Sequence, residues 1–136
     1  MAVAADIHRE MFAAWNSRDF KKMRELMHSE YSYMGADGKE AKGPEAGMAI
    51  AQMYASAFPD GRLELGRVHV VGDTSVAEVI ARGTHQGDLM GIAPTGKKVE
   101  IRICNVVELR DGKVYREREY MDMLTMMVQL GAVKLP

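Results

Sequence analysis

Two glutamates two positions apart, Glu117 and Glu119, lie in the stretch V-Y-R-E-R-E-Y-M-D at 114–122. Side chains alternate along an extended strand, so Tyr115, Glu117, Glu119 and Met121 share one face while Arg116, Arg118 and Tyr120 share the other. A carboxyl pair on one face can serve two different ends. Turned to solvent beside the arginines, the glutamates form cross-strand ion pairs worth under about 1 kcal/mol each. Turned into an apolar cavity, they lose hydration and repel one another, which raises their pKa toward the range useful for acid–base catalysis near neutrality.

A second polar residue stands out in the preceding strand-like run. Along Lys98 to Leu109 the alternation gathers Val99, Ile101, Ile103, Asn105, Val107 and Leu109 on one face. Asn105 breaks that apolar row, and an unpaired buried amide costs about 1–3 kcal/mol, so it requires a partner. The partner is either a ligand oxygen in a pocket or a group on a neighbouring strand. His85 opens a glycine-flanked loop at 85–96, where it serves as a site residue or as a loop anchor. His8, His28 and His69 have no acidic or histidine partner at ligand spacing, and the lone Cys104 excludes a C-x-x-C clip, so no metal site is expected. The chain contains no G-x-S-x-G nucleophile turn, and its turn-rich G-I-A-P-T-G-K stretch at 91–97 runs into Lys98 and a strand-like segment, without the Ser or Thr and the helix that a phosphate-binding loop needs.

These residues need elements to hold them. Ile7, Met11, Phe12 and Trp15 recur at helical spacing, then Asn16-Ser17-Arg18-Asp19 interrupts. Phe20, Met23, Leu26 and Met27 continue in a short second helix with Asp19 as N-cap. Tyr31 to Met34 reads as a small edge strand before the turn Gly35 to Lys39. Pro44 opens a third helix whose stripe runs through Ile50, Met53, Tyr54, Ala57 and Phe58. Strands follow at 63–71, 75–84, 98–109 and 114–122 with no helical pattern between them, which predicts an antiparallel meander. A last helical turn or two covers Met123 to Leu130. The expected fold is α+β, with helices covering one face of a cone-shaped antiparallel sheet around an apolar cavity, in a single domain over 1–136.

Composition narrows the function. The 136 residues carry 18 Lys plus Arg against 19 Asp plus Glu, so no basic surplus points to nucleic acid. The N-terminal stretch has Asp6 and His8 where a signal peptide needs an apolar core, and no run approaches the roughly 18 apolar residues of a membrane span. A cytoplasmic protein is expected, with no membrane partner. Twelve methionines suit either an adaptable cavity or plain core filling.

Several words of the chain together resemble the SnoaL-like polyketide cyclases, within the nuclear-transport-factor-2-like, cystatin-like cone superfamily. They are W-N-S-R-D-F at 15–20, A-F-P-D at 57–60, G-T-H-Q-G-D-L-M-G-I-A-P-T-G-K-K-V at 83–99, L-R-D-G-K-V at 109–114, E-Y-M-D at 119–122 and Q-L-G at 129–131. The resemblance implies cofactor-independent aldol-type ring closure, with an acidic residue in the cone as acid/base. That position falls on Glu119, where the family pattern has Asp. A second polar position, His in some cyclases, falls on Asn105, whose amide can donate to an enolate oxygen but cannot exchange a proton at neutral pH. A looser resemblance to ketosteroid isomerase places its oxyanion-stabilising acid near Asn105 too, but its proton-abstracting Asp near Gly35, with Asp37 the nearest acid. The cone's inner wall is expected to include Trp15, Tyr33, Tyr54, Phe58, His85, Met90, Ile103, Glu117 and Met121. The expected activity is cyclisation or a related proton transfer on an apolar carbonyl compound, by a homodimer without metal or cofactor. The alternatives are a non-catalytic small-ligand-binding protein and a dimeric scaffold on the same fold.

Overall fold

The computed structural model describes residues 3–136. Helix α1 (Val3–Asn16) and helix α2 (Phe20–Glu25) are followed by strands β1 (Met27–Met34) and β2 (Glu40–Lys42), then by helix α3 (Pro44–Ala57). Strands β3 (Arg62–Val71), β4 (Thr74–Thr84), β5 (Lys98–Arg110) and β6 (Lys113–Met121) lead to helix α4 (Met123–Gln129). One six-stranded sheet has the order β2-β1-β6-β5-β4-β3. The expected α+β layout with four consecutive antiparallel strands is what the chain adopts, and the sheet is curved and unclosed.

Three features depart from the expected pattern. Strand β1 begins at Met27, four residues before the predicted strand and inside the predicted second helix, because that helix ends at Glu25 with Leu26 as C-cap. It is also interior to the sheet, pairing in parallel with β6 on one side and antiparallel with β2 on the other. The edge belongs to β2, a Glu-Ala-Lys strand with no apolar pattern, held by its register Ser32↔Lys42 to Met34↔Glu40. The third departure is a shift in register between Glu108 and Leu109, which aligns Glu108 with Arg116 but Leu109 with Val114. Tyr115 is the extra residue of this bulge. Val114 is therefore fully buried, whereas Tyr115 leaves the face of Glu117 and Glu119 and packs under the Arg110 guanidinium, 3.8 Å from ring centre, and edge-on to His28.

The corners are locked by polar side chains. Asn16 donates its amide to Leu63 O and accepts from Leu63 N–H, both at 2.8 Å, as a strand edge would. Arg18 donates to the carbonyls of Phe58, Pro59 and Gly61 while lying 4.1 Å over the Trp15 ring. Asp60 accepts from both the backbone and the hydroxyl of Thr84 at 2.7 Å. These contacts fix the ends of α1 and α3 against β3 and β4, with the apolar faces of the helices turned onto the sheet. No helix among the described residues is long and apolar enough to cross a membrane.

Candidate functional site

The site begins with register. Asn105 on β5 lies opposite Glu119 on β6, Val107 opposite Glu117, and Tyr33 on β1 opposite Glu117. Strand alternation then aims Tyr31, Tyr33, Asn105, Glu117 and Glu119 into the concave side of the sheet. The Tyr31 hydroxyl donates to Glu117 Oε1 at 2.5 Å and the Tyr33 hydroxyl to Glu119 Oε1 at 2.6 Å. The Asn105 amide nitrogen donates to the other oxygen of each, at 2.9 Å to Glu117 Oε2 and 3.1 Å to Glu119 Oε2. Each carboxyl is thus pinned at both oxygens.

Behind this layer stand two residues that sequence inspection passed over. His8 Nε2 lies 2.7 Å from Asn105 Oδ1, and His8 Nδ1 lies 2.7 Å from Ser75 Oγ. Because the amide nitrogen faces two acceptors, the Asn105 oxygen must face His8, and the imidazole must carry its proton on Nε2 to donate there. Nδ1 then accepts from the Ser75 hydroxyl. All three residues are fully buried, and burial holds His8 below its ordinary pKa and therefore neutral at pH 7. A signal for His8 existed: it sits in the apolar stripe of α1, one turn before Met11 and Phe12, where a polar residue needs a partner. Ser75 had no comparable signal.

Burial is the main cause of the perturbed carboxyls. Glu119 is raised to about 7, first by loss of hydration and then by the charge on Glu117, while the Tyr33 and Asn105 hydrogen bonds oppose the shift. Glu117 is raised by burial too, opposed by Tyr31 and Asn105. Burial thus disfavours ionising both carboxyls together, and the two titrate as an interacting pair. The phenols of Tyr31 and Tyr33 are held well above their usual pKa by burial and by the glutamates, so they remain donors.

The carboxyls face a cavity of about 120 Å³, close to the roughly 150 Å³ of an apolar cavity that holds benzene. Trp15, Tyr33, Tyr54, Phe58, Ile103, Glu117, Glu119 and Met121 line it, as do Met11, Met23, Met27 and Met126. Its open end is bordered by Arg62 and Arg82, which also border a groove on the outer surface. Asn105 lies behind the glutamates and outside the lining, because both its amide hydrogens are directed to the carboxyls. His85 is also outside: it is buried in the rim loop, where Nδ1 meets Thr95 Oγ1 and Thr95 N, and the backbone pairs with Lys97 and Gly96. Met90 points outward, 54 % exposed, at the tip of a tight turn in which Met90 and Gly91 both have positive φ and Leu89 takes the inner position. Among the described residues no group of three or more His, Cys, Asp or Glu is placed to hold a metal ion.

Known proteins resemble this chain over nearly its whole length. The chain is 30% identical over 134 residues to the aklanonic acid methyl ester cyclase DnrD of Streptomyces peucetius, covering 96% of this chain and 92% of the relative. A solved structure described as a SnoaL-like polyketide cyclase, from a Jannaschia species, superposes with a TM-score of 0.90 at 23% identity, covering 97% of this chain and 94% of that one. Another, AclR of Streptomyces galilaeus, described as a candidate hydroxylase, gives 0.87 at 26% identity, covering 100% of this chain and 86% of its own. A family model described as SnoaL-like polyketide cyclase matches residues 5–130, and with it the chain belongs to that family.

Proposed function

We propose that the cavity binds a small apolar molecule with two carbonyl groups and that Glu119 catalyses its ring closure. The ionised carboxyl removes a proton from a carbon beside one carbonyl and several bonds away from the other. The resulting enolate carbon attacks the second carbonyl carbon of the same molecule, one C–C bond forms, and the alkoxide takes the proton back from Glu119. Atoms and charge balance within one molecule, so the step needs no cofactor. Asn105 acts here as the clamp that holds two carboxyls side by side, with neutral His8 and Ser75 fixing which way its amide points. The single observation that carries the reading is a buried carboxyl lining an apolar cavity, Glu119, which burial raises to about 7, where a group serves about equally as base and acid.

The expected rate rises with pH through about 7 as Glu119 loses its proton, since the base form begins the cycle. Glu119→Gln removes that limb and lowers kcat by about 10²–10⁴, the usual share of a general base. A binding protein on the same fold predicts instead that Glu119→Gln leaves ligand affinity and biological activity intact. Measuring kcat and Kd of both proteins against pH separates the two.

We further infer that residues 1–136 form one domain and that two copies pair through the convex sheet face. Val76 and Val106 are opposite one another there, beside Cys104 and the 55 % exposed Tyr120, and none of these lies in the two buried core clusters.

A further inference from the structure

Ring closure through an enolate needs a donor for the oxygen that becomes negative as well as a base for the proton. The donors around Glu117 and Glu119 are nearly all committed. Both Asn105 amide hydrogens go to the glutamates, as do the hydroxyls of Tyr31 and Tyr33, and Trp15 Nε1 donates to Ala51 O at 3.0 Å. At the open end Arg82 is held by Glu64 and Glu100, and Arg62 is solvent-exposed and shared with the outer groove. Tyr54 differs from all of these. It stands on the inner face of α3, one turn after Ala51 and one before Phe58, and lines the same cavity as Glu119. Its hydroxyl has no hydrogen-bond partner among the described residues, yet the oxygen is not sealed from open space.

We propose that Tyr54 is the oxyanion donor of this site: its hydroxyl binds the substrate carbonyl and stabilises the enolate oxygen formed when Glu119 takes the neighbouring proton. The assignment rests on the proton-transfer reading above, and it moves the role expected of Asn105 to a residue on a different element. Burial and the charges of Glu119 and Asp37 push the Tyr54 phenol up to about 12, so its proton stays available for donation throughout the working pH range. Tyr54 on α3 and Glu119 on β6 line the same cavity, so one small substrate can meet both. Because Tyr54 holds no internal bond, its donation to a substrate oxygen costs no hydrogen bond of its own.

Acetophenone, a one-ring ketone with exchangeable α-protons, is a suitable probe for a cavity of this size. Two readouts on the saturated protein in D₂O are needed: exchange of the methyl protons by NMR, and the carbonyl stretch of the ¹³C=O-labelled ketone by difference infrared spectroscopy. Wild type should exchange the methyl protons and lower the carbonyl stretch relative to an apolar solvent. Tyr54→Phe should keep Kd within about threefold, abolish the lowered stretch and slow exchange by about 10²-fold. Arg62→Leu should keep both signals. Retention of the lowered stretch in Tyr54→Phe, or its loss in Arg62→Leu with Tyr54→Phe unaffected, overturns the assignment. If wild type shows no exchange but the stretch still depends on Tyr54, the donor role stands and the Glu119 reading fails. If acetophenone fails to bind at millimolar concentration, both fail.

Discussion

Asn105 has two amide hydrogens and one acceptor oxygen, and the fold occupies all three, with Glu117, Glu119 and His8. This count decides its role. A donor already shared between two carboxylates cannot turn to an incoming enolate without breaking a charge-assisted hydrogen bond in a low-dielectric site. Asn105→Leu, close in shape and without polar atoms, strands the His8 Nε2–H and one oxygen on each glutamate. It should destabilise the protein by about 2–4 kcal/mol, read as a lower midpoint in urea at unchanged m-value. The same change removes donors that favour the ionised carboxyl, so the apparent pKa of Glu119 should move up from about 7. A ¹³C carboxyl titration checks the direction. A downward movement, or none, would show that Asn105 fills space without tuning the pair.

At the scale of elements, the carboxyls depend on where α3 sits on β1. A Cβ built on Gly47 would lie 2.3 Å from Tyr31 Cε1, so the helix approaches the tyrosine ring at the one position that lacks a side chain. Glycine inside a helix ordinarily costs about 1 kcal/mol relative to alanine. Here the preference reverses: Gly47→Ala forces the ring away from Glu117 and should lower stability by about 1–3 kcal/mol, with Tm and the Glu117 titration as measurements. The β5–β6 bulge is the other determinant. By adding Tyr115 between Val114 and Arg116 it lets Val114 fill the core while keeping Glu117 and Glu119 on the concave side. Period-two alternation correctly grouped the two glutamates but wrongly added Tyr115, because no local sequence signal marks an extra residue that only the β5 register requires. Strand β2 escaped notice for a similar reason, since three polar-leaning residues become a strand only when β1 offers them an edge.

The whole molecule presents a helix-covered concave face and a convex sheet face whose apolar residues are incompletely covered. If Val76, Val106, Cys104 and Tyr120 form a homodimer interface, light scattering after gel filtration should give about twice the 15.1 kDa chain mass. Tyr120→Asp should convert that species to monomer by placing a charge in the centre of the contact. A wild-type monomer at tens of micromolar would remove the dimer from the account.

Several of the words that carried the family resemblance contain corner locks: Asn16, Arg18, Asp60 and Thr84 bind backbone or one another across the turns. The amino-acid sequence by itself determined the order of every element but β2, the inward row on β5 and the pairing of Glu117 with Glu119 on one face, because periodicity is a local property. Tertiary structure alone decided that this face is enclosed. It also brought His8 and Ser75, 97 and 30 positions before Asn105, into one hydrogen-bonded array with it. It sent His85 and Met90 to the rim and left Tyr54 as the uncommitted hydroxyl. Enclosure sets a carboxyl's pKa and the count of remaining donors, and both depend on what the rest of the chain packs against it rather than on the residues beside it in sequence.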